Sequence, residues 1–224
     1  MNIGIITDST ADLSDNILQK YNIEVVPLSV NFGNEVYTDG VDLNAKEFFS
    51  KIKEVDELPG TSQPSLSAFQ KKYQEMIDDY DKILSIHVSG GLSGTYETAK
   101  QAASKISNSD IHLFDSSTIS LGLGFLVILA AKLAKKLNSV DKIVEKLNEA
   151  KENLLLYFTV DDMTYMEKGG RIGKAKAMLG SILNINPIIS ISTDTGKVLP
   201  LDKTRGEKRT SKKMIDLAME KLEN

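Results

Sequence analysis

The segment Ile83-Leu84-Ser85-Ile86-His87-Val88-Ser89-Gly90-Gly91-Leu92-Ser93-Gly94-Thr95-Tyr96 constrains the fold of this chain more than any other. A short β-branched run ends in two glycines, and a Ser-Gly-Thr step then opens a stretch of helical periodicity. The order is therefore strand, tight loop, helix start. The first N–H groups of a helix have no intrahelical partner and carry the positive end of its dipole. Gly90, Gly91 and Gly94 let backbone and ligand approach without a Cβ in the way. An anion fits such a cradle. The same residues also suit a plain turn in which Ser93 or Thr95 caps the helix.

The chemistry at the end of that strand recurs elsewhere. Residues 3–7 read as a buried strand running into Asp8-Ser9-Thr10-Ala11-Asp12, which can cap a helix over 13–21. Residues 111–114 read as a strand running into Asp115-Ser116-Ser117-Thr118. Between them lie an expected strand at 24–30, a hairpin at 31–40 with a return strand at 35–37, and a helix at 44–53. Leu58-Pro59-Gly60-Thr61-Ser62-Gln63-Pro64-Ser65 follows as a polar loop, and Ser65 or Ser67 caps a helix at 68–79. The helix after the glycine loop covers 95–105, and another covers 140–151. Strands and helices alternating at this spacing predict a parallel sheet covered on both faces, with ligands outside the carboxyl ends of its strands. Residues 7–10, 89–95 and 115–118 then share one rim.

The expected organisation is a three-layer α/β/α domain over residues 1–150 and a smaller α+β domain with a mixed sheet over 151–224. In the second domain the pattern predicts a strand at 154–160, a short helix at 163–168 and a basic loop Gly169-Gly170-Arg171-Ile172-Gly173. A helix at 174–183 follows, then a hairpin pairing 187–191 with 197–201 across Asp194-Thr195-Gly196. The last helix, 207–222, places Met214, Leu217, Ala218 and Leu222 on one side.

Composition narrows the function. The 224 residues carry a net charge of −4, without the basic face that a nucleic-acid binder needs. With no cysteine and only two histidines, His87 and His112, thiolate chemistry is excluded and a histidine-based metal site or triad is poorly supplied. Both histidines sit in apolar strand-like runs, and His87 reads as a core residue. The N-terminus has no basic flank and too short an apolar run for a signal peptide, so a cytoplasmic protein is expected. The apolar run 119–131 is too short to span a membrane and reads as a buried helix.

Taken together, Thr7-Asp8-Ser9-Thr10-Ala11-Asp12-Leu13, Pro59-Gly60-Thr61-Ser62-Gln63-Pro64-Ser65, Ser93-Gly94-Thr95-Tyr96, Phe114-Asp115-Ser116, Leu121-Gly122-Leu123-Gly124, Lys168-Gly169-Gly170-Arg171-Ile172 and Arg205-Gly206 resemble the DegV family of bacterial fatty-acid-binding proteins. The resemblance implies a non-catalytic carrier that holds one long-chain fatty acid in a tunnel between two domains. Its implied partner is a separate ATP-dependent fatty acid kinase, which phosphorylates the exposed carboxylate to an acyl phosphate for phospholipid synthesis. It further implies that Thr61, Ser62 and Ser93 hold the head group and that Arg171 and Arg205 face the kinase or its phosphate. Family members usually continue past this end into a His-Thr-Gly-Pro-Gly type motif that nothing here matches. The second domain is accordingly expected to be incomplete at its C-terminal side.

The residues themselves agree with a carrier. A carboxylate needs a few fixed donors, which Thr61, Ser62, Ser93 and the N–H groups near Gly94 and Thr95 can supply; an acyl chain needs only an apolar wall. Each buried methylene contributes roughly 0.8 kcal/mol, so the tail supplies affinity and the hydroxyls set register. No cofactor and no metal is called for. The competing reading is a hydrolase or phosphotransferase using the Ser89–Thr95 loop, with Ser93 as nucleophile or Gly90 to Gly94 as a phosphate loop. It lacks Gly-x-x-x-x-Gly-Lys-Ser/Thr, Gly-x-Ser-x-Gly and an evident histidine base. A hard-cation site from Asp8, Asp39, Asp42 and Asp115 matches no contiguous oxygen-ligand loop. A purely structural interaction module would show a flat patch and no tunnel.

Overall fold

The computed structural model describes residues 2–107, 110–178 and 185–223. Strand β1 (Ile3–Asp8) passes through a 3-10 turn (Ser9–Ala11) into helix α1 (Asp15–Tyr21) and returns as β2 (Ile23–Val26). An excursion follows, comprising the hairpin β3 (Ser29–Phe32) and β4 (Glu35–Thr38), helix α2 (Ala45–Lys51) and the short strand β5 (Gly60–Ser62). Helix α3 (Leu66–Ile77), β6 (Lys82–His87), α4 (Thr95–Ala103), β7 (Ile111–Asp115), α5 (Leu121–Ala134) and α6 (Val140–Glu152) complete the alternating part. Beyond it come α7 (Thr164–Lys168), a 3-10 segment (Gly173–Met178), the antiparallel pair β8 (Asn186–Ile191) and β9 (Val198–Thr204), and α8 (Glu207–Glu223).

The main sheet has the order β2-β1-β6-β7 with every pair parallel. Side chains alternate across it, so each face builds its own core. Ile5, Leu84, Ile86 and Phe114 pack on one face with Leu123, Leu126, Val127, Ile143 and Leu147 of α5 and α6. Ile6, Val26 and Ile83 pack on the other with Phe69, Tyr73 and Met76 of α3 and Ala99 and Ala102 of α4. The three-layer α/β/α arrangement expected from the alternation is therefore present. Most of the apolar run at 119–131 lies in helix α5, where Leu123, Leu126, Val127, Ala130 and Ala131 are buried as expected, whereas Leu121 and Phe125 are exposed. Small residues explain its close approach to the loop after β1: a Cβ on Gly124 would meet the Ala11 carbonyl at 2.6 Å.

Several expectations need correction. The strand at 24–30 is two strands in two sheets. Pro27 has no N–H to continue the ladder, and the Leu28 N–H instead donates to Ser9 Oγ at 3.1 Å, turning the chain out of the parallel sheet. The polar loop 58–65 contains β5, which pairs with β3 through Val30 opposite Thr61 and Ser29 opposite Ser62. Residues 154–160 form no strand; Phe158 makes one antiparallel bridge to Ile189, with both N–H···O distances 2.9 Å. An apolar run specifies burial, while a strand also needs a partner along its length. Among the described residues the second sheet is thus the antiparallel β8–β9 pair and not a mixed sheet. Finally, Leu222 is exposed on α8 together with Ile215 and Met219, whereas Met214, Leu217 and Ala218 are half-buried. Of the helix expected at 174–183, the part through Met178 is a 3-10 segment and residues 179–184 lie outside the described residues.

Candidate ligand site

In the main sheet the chain moves from β1 to β2 in one direction and to β6 and β7 in the other, so the strand order reverses between β1 and β6. Loops leaving adjacent parallel strands diverge at such a switch point and leave a crevice at their carboxyl ends. The expected rim is assembled there. Val88 N–H donates to Asp8 Oδ2 at 3.0 Å and Gly90 N–H to Asp115 Oδ2 at 3.1 Å. Ser89 N–H reaches the Thr118 carbonyl and Ser120 N–H the Thr10 carbonyl, both at 2.9 Å.

Asp8 anchors this rim from inside. Its carboxylate, fully buried, accepts from Thr10 N–H at 3.1 Å and lies 3.0 Å from His87 Nδ1. His87 Nε2 is 2.6 Å from Ser85 Oγ, which is 2.8 Å from Tyr73 Oη. Burial acts to raise the Asp8 pKa, yet the hydrogen bond and charge of His87 and the donors from Thr10 and Val88 outweigh it and hold the group below its ordinary value. Burial pushes the Tyr73 hydroxyl well above its ordinary value in spite of its bond to Ser85, a direction that keeps it protonated. Ser85, His87 and Asp8 thus have the connectivity of a catalytic triad without its access, because all three are fully buried. His87 is the core residue expected, and the network around it escaped sequence reasoning. The signal available was its i, i+2 spacing from Ser85 on one strand.

The loop itself differs from a cradle of free N–H groups. Gly91 N–H is held by Ser89 Oγ at 3.1 Å, Leu92 and Ser93 N–H by the Ser89 carbonyl at 3.0 and 3.1 Å, and Thr95 N–H by Ser93 Oγ at 3.3 Å. With Val88 and Gly90 N–H on carboxylates, most of the loop's donors are already engaged, and Asp115 places a negative group beside Gly90. That is the wrong electrostatics for a phosphate loop. The half-buried Ser93 hydroxyl, 2.9 Å from the buried Thr95 Oγ1, and the exposed Gly94 form the outward part. Gly94, not Ser93 or Thr95, occupies the N-cap position of α4.

Gln63 joins this loop to β5. Its Nε2 donates to Thr98 Oγ1 at 2.7 Å, and its side chain lies so close to Gly94 that any Cβ there would overlap it. Thr61 and Ser62, both exposed, therefore stand two and one residues from the latch to the Ser93 loop. Strand alternation puts their side chains on opposite faces of the small sheet. Ser62 Oγ accepts from Asn31 Nδ2 at 2.9 Å and keeps its own O–H to donate.

The second part of the chain closes on the same loop. Ser89 Oγ donates to the Gly196 carbonyl at 2.7 Å, and a Cβ on Gly91 would lie 2.7 Å from that carbonyl group. Arg171 Nε donates to the Leu92 carbonyl at 3.2 Å and Nη1 to the Gly169 carbonyl at 2.6 Å. Leu92 and Ile119 are packed both against the α5 core and against the cluster of Met163, Ile172, Ile189, Ile191 and Val198, so an apolar seam passes through Leu92, the residue before Ser93. Arg205 stands apart, beside a surface hollow lined by Ile185, Lys203, Thr204, Arg205 and Arg209. A second hollow lies on α6, lined by Asp141, Val144, Glu145, Asn148, Glu149 and Glu152. Neither hollow is lined by Thr61, Ser62 or Ser93. Among the described residues no group of three or more His, Cys, Asp or Glu is placed to hold a metal ion. No described helix is long and apolar enough to cross a membrane.

Fold and rim together define a doubly wound α/β protein with a hydroxyl-bearing crevice at its switch point. The chain belongs to the DegV family: a family model described as an uncharacterised protein, DegV family, matches residues 2–224. A DegV domain-containing protein of Staphylococcus aureus is 42% identical over 184 residues, covering 82% of this chain and 65% of that protein. The structure of DegV, a fatty acid binding protein from Bacillus subtilis, superposes with a TM-score of 0.90 at 36% identity, covering 99% of this chain and 78% of that one. A stearic acid-binding protein from Eubacterium ventriosum superposes with a TM-score of 0.88 at 25% identity, covering 99% and 77%.

Proposed function

We propose that this chain binds one long-chain fatty acid, with the carboxylate between Ser93 and β5, where one of the oppositely facing Thr61 and Ser62 hydroxyls reaches it, and the acyl tail along the apolar seam past Leu92 and Ile119. The observation that supports the reading is the Gln63 latch: the residue after Ser62 is bonded to Thr98 of α4 and packed against Gly94, the residue after Ser93. Relatives described as fatty-acid and stearic-acid binders share the fold over nearly the whole of this chain. The loop's engaged N–H groups suit a carboxylate oriented by hydroxyls better than a phosphate. Among the described residues neither histidine is bonded to Ser93: His87 is held by Ser85 and Asp8 inside the core, and His112 lies 2.6 Å from Asp110. We take residues 1–150 as the sheet domain and 151–224 as the part that closes the tunnel.

The carrier's partner in this proposal is an ATP-dependent kinase that phosphorylates the presented carboxylate, with Arg171 and Arg205 on the kinase side. Arg171 is suited to this by its place between the head-group loop and the Gly169–Gly170 turn, where a guanidinium can exchange a carbonyl for a phosphate oxygen. The test is a comparison of fatty acid binding with acyl phosphate formation when kinase and ATP are added. Arg171→Ala should keep fatty acid affinity within about tenfold, the value of one lost hydrogen bond to Leu92, while transfer falls much further. Equal losses of binding and transfer would place Arg171 in the ligand site instead.

A further inference from the structure

The stretch from β9 into α8 reverses the charge of the rest of the chain. Lys203, Arg205, Lys208, Arg209, Lys212 and Lys213 fall within eleven residues, against the single acid Glu207, in a protein whose net charge is −4. Three of these cations, Lys203, Arg205 and Arg209, line a hollow of about 370 Å³ with Thr204 and Ile185, and among the described residues no carboxylate lines it. Asp202, next along the strand, is engaged by Lys213 at 3.2 Å. None of the three lining cations makes an ion pair with another described residue. Like charges gathered without a counter-charge repel one another, a cost that a multivalent anion relieves.

The base of the hollow is fixed. Gly206, at φ +83°, takes the left-handed conformation that turns β9 into α8, and its N–H donates to Asn186 Oδ1 at 3.0 Å. The buried Thr210 hydroxyl donates to the Gly206 carbonyl at 3.0 Å and lies 2.6 Å from Thr204 Oγ1. Lys203 and Arg205 stand two residues apart along the strand direction and Arg209 one helical turn beyond, so the cations approach from two elements held in fixed relation.

We propose that Lys203, Arg205 and Arg209 form a binding site for a phosphorylated small molecule carrying a di- or triphosphate. Guanidinium groups take phosphate oxygens in pairs, and the ammonium of Lys203 supplies a third point of charge. The hollow has the size of a small-molecule site and exceeds what a single phosphate fills. The site deepens the role proposed for Arg205 and rests on that reading for its use beside a kinase.

Inorganic pyrophosphate is the probe, titrated calorimetrically into the intact chain at low ionic strength without kinase or fatty acid. Saturable one-to-one binding is expected, weakened about tenfold by Lys203→Ala and by Arg209→Ala and largely restored in Arg209→Lys. Lys212→Ala, which removes the same charge outside the hollow, should leave it within about twofold. Absence of saturable binding overturns the site, as does an equal loss in Lys212→Ala, which would mean a diffuse basic field. Binding to phosphatidylglycerol vesicles without any to pyrophosphate also overturns it, in favour of a lipid surface. A chain that binds pyrophosphate and no fatty acid would refute the carrier reading alone; the converse would remove this site alone.

Discussion

Asp8 decides more at the level of single residues than any group on the surface. Its lowered pKa means that the folded state prefers the carboxylate, so the stabilisation is complete above the ordinary carboxyl value of 3.8 and is lost as pH falls through the depressed one. Asp8→Asn keeps the shape, loses the charge that faces His87 and turns a donor toward Val88 or Thr10. It should cost roughly 1–3 kcal/mol at pH 7 and flatten the loss of stability on acidification, as read by urea unfolding at pH 7 and pH 3. Equal pH slopes for variant and wild type would remove Asp8 from the account. Ser93 is the contrasting case. Its hydroxyl bonds only within its own loop, so Ser93→Ala should leave thermal stability nearly unchanged while weakening fatty acid binding by about one to two orders of magnitude. Turnover of acyl esters by the wild type, absent in Ser93→Ala, would favour the hydrolase reading.

Among the elements, the contact between the glycine loop and the β8–β9 turn is the most sensitive to a single atom. A methyl group at Gly91 would press on the backbone of Thr195 and Gly196, which cannot yield as a flexible side chain does. Gly91→Ala should therefore cost about 1–3 kcal/mol and speed fatty acid dissociation, measurable by denaturation and by ligand-release kinetics. Of the backbone and ligand that Gly91 is expected to admit, the structure shows backbone, that of Thr195 and Gly196. Sequence could show that no Cβ fits there, not which backbone fills the space. The same limit applies elsewhere. Period and strand-end chemistry were enough to place β1, β6 and β7 and the rim they share. The break at Pro27 and the strand at Gly60–Ser62 depend on pairing with β3, and the missing strand at Leu154 to Val160 depends on a partner that pairs at Phe158 only. Thr61, Ser62 and Ser93 were legible as donors; Gln63, which brings their elements together, was not, because a lone glutamine in a Pro-Gly loop carries no pattern.

For the molecule as a whole, the apolar seam through Leu92 and Ile119 ties the α5 core to the cluster around Ile189. A tail lying there would stabilise both at once. Ligand at about a hundred times its dissociation constant adds roughly 2.7 kcal/mol, which for a chain of this size raises the melting temperature by about 5–10 °C. Delipidated protein should show that rise on adding stearic acid and little of it on adding a short-chain acid, since each lost methylene removes roughly 0.8 kcal/mol. The central claim, one acyl chain per protein with its carboxylate at Ser93, is tested most directly by native mass spectrometry of the delipidated protein titrated with stearic acid, for the wild type and Ser93→Ala. The account predicts a single saturating adduct in the wild type and a titration displaced to about ten- to hundredfold higher ligand in the variant. Several non-saturating adducts, or identical titrations of the two proteins, would contradict it.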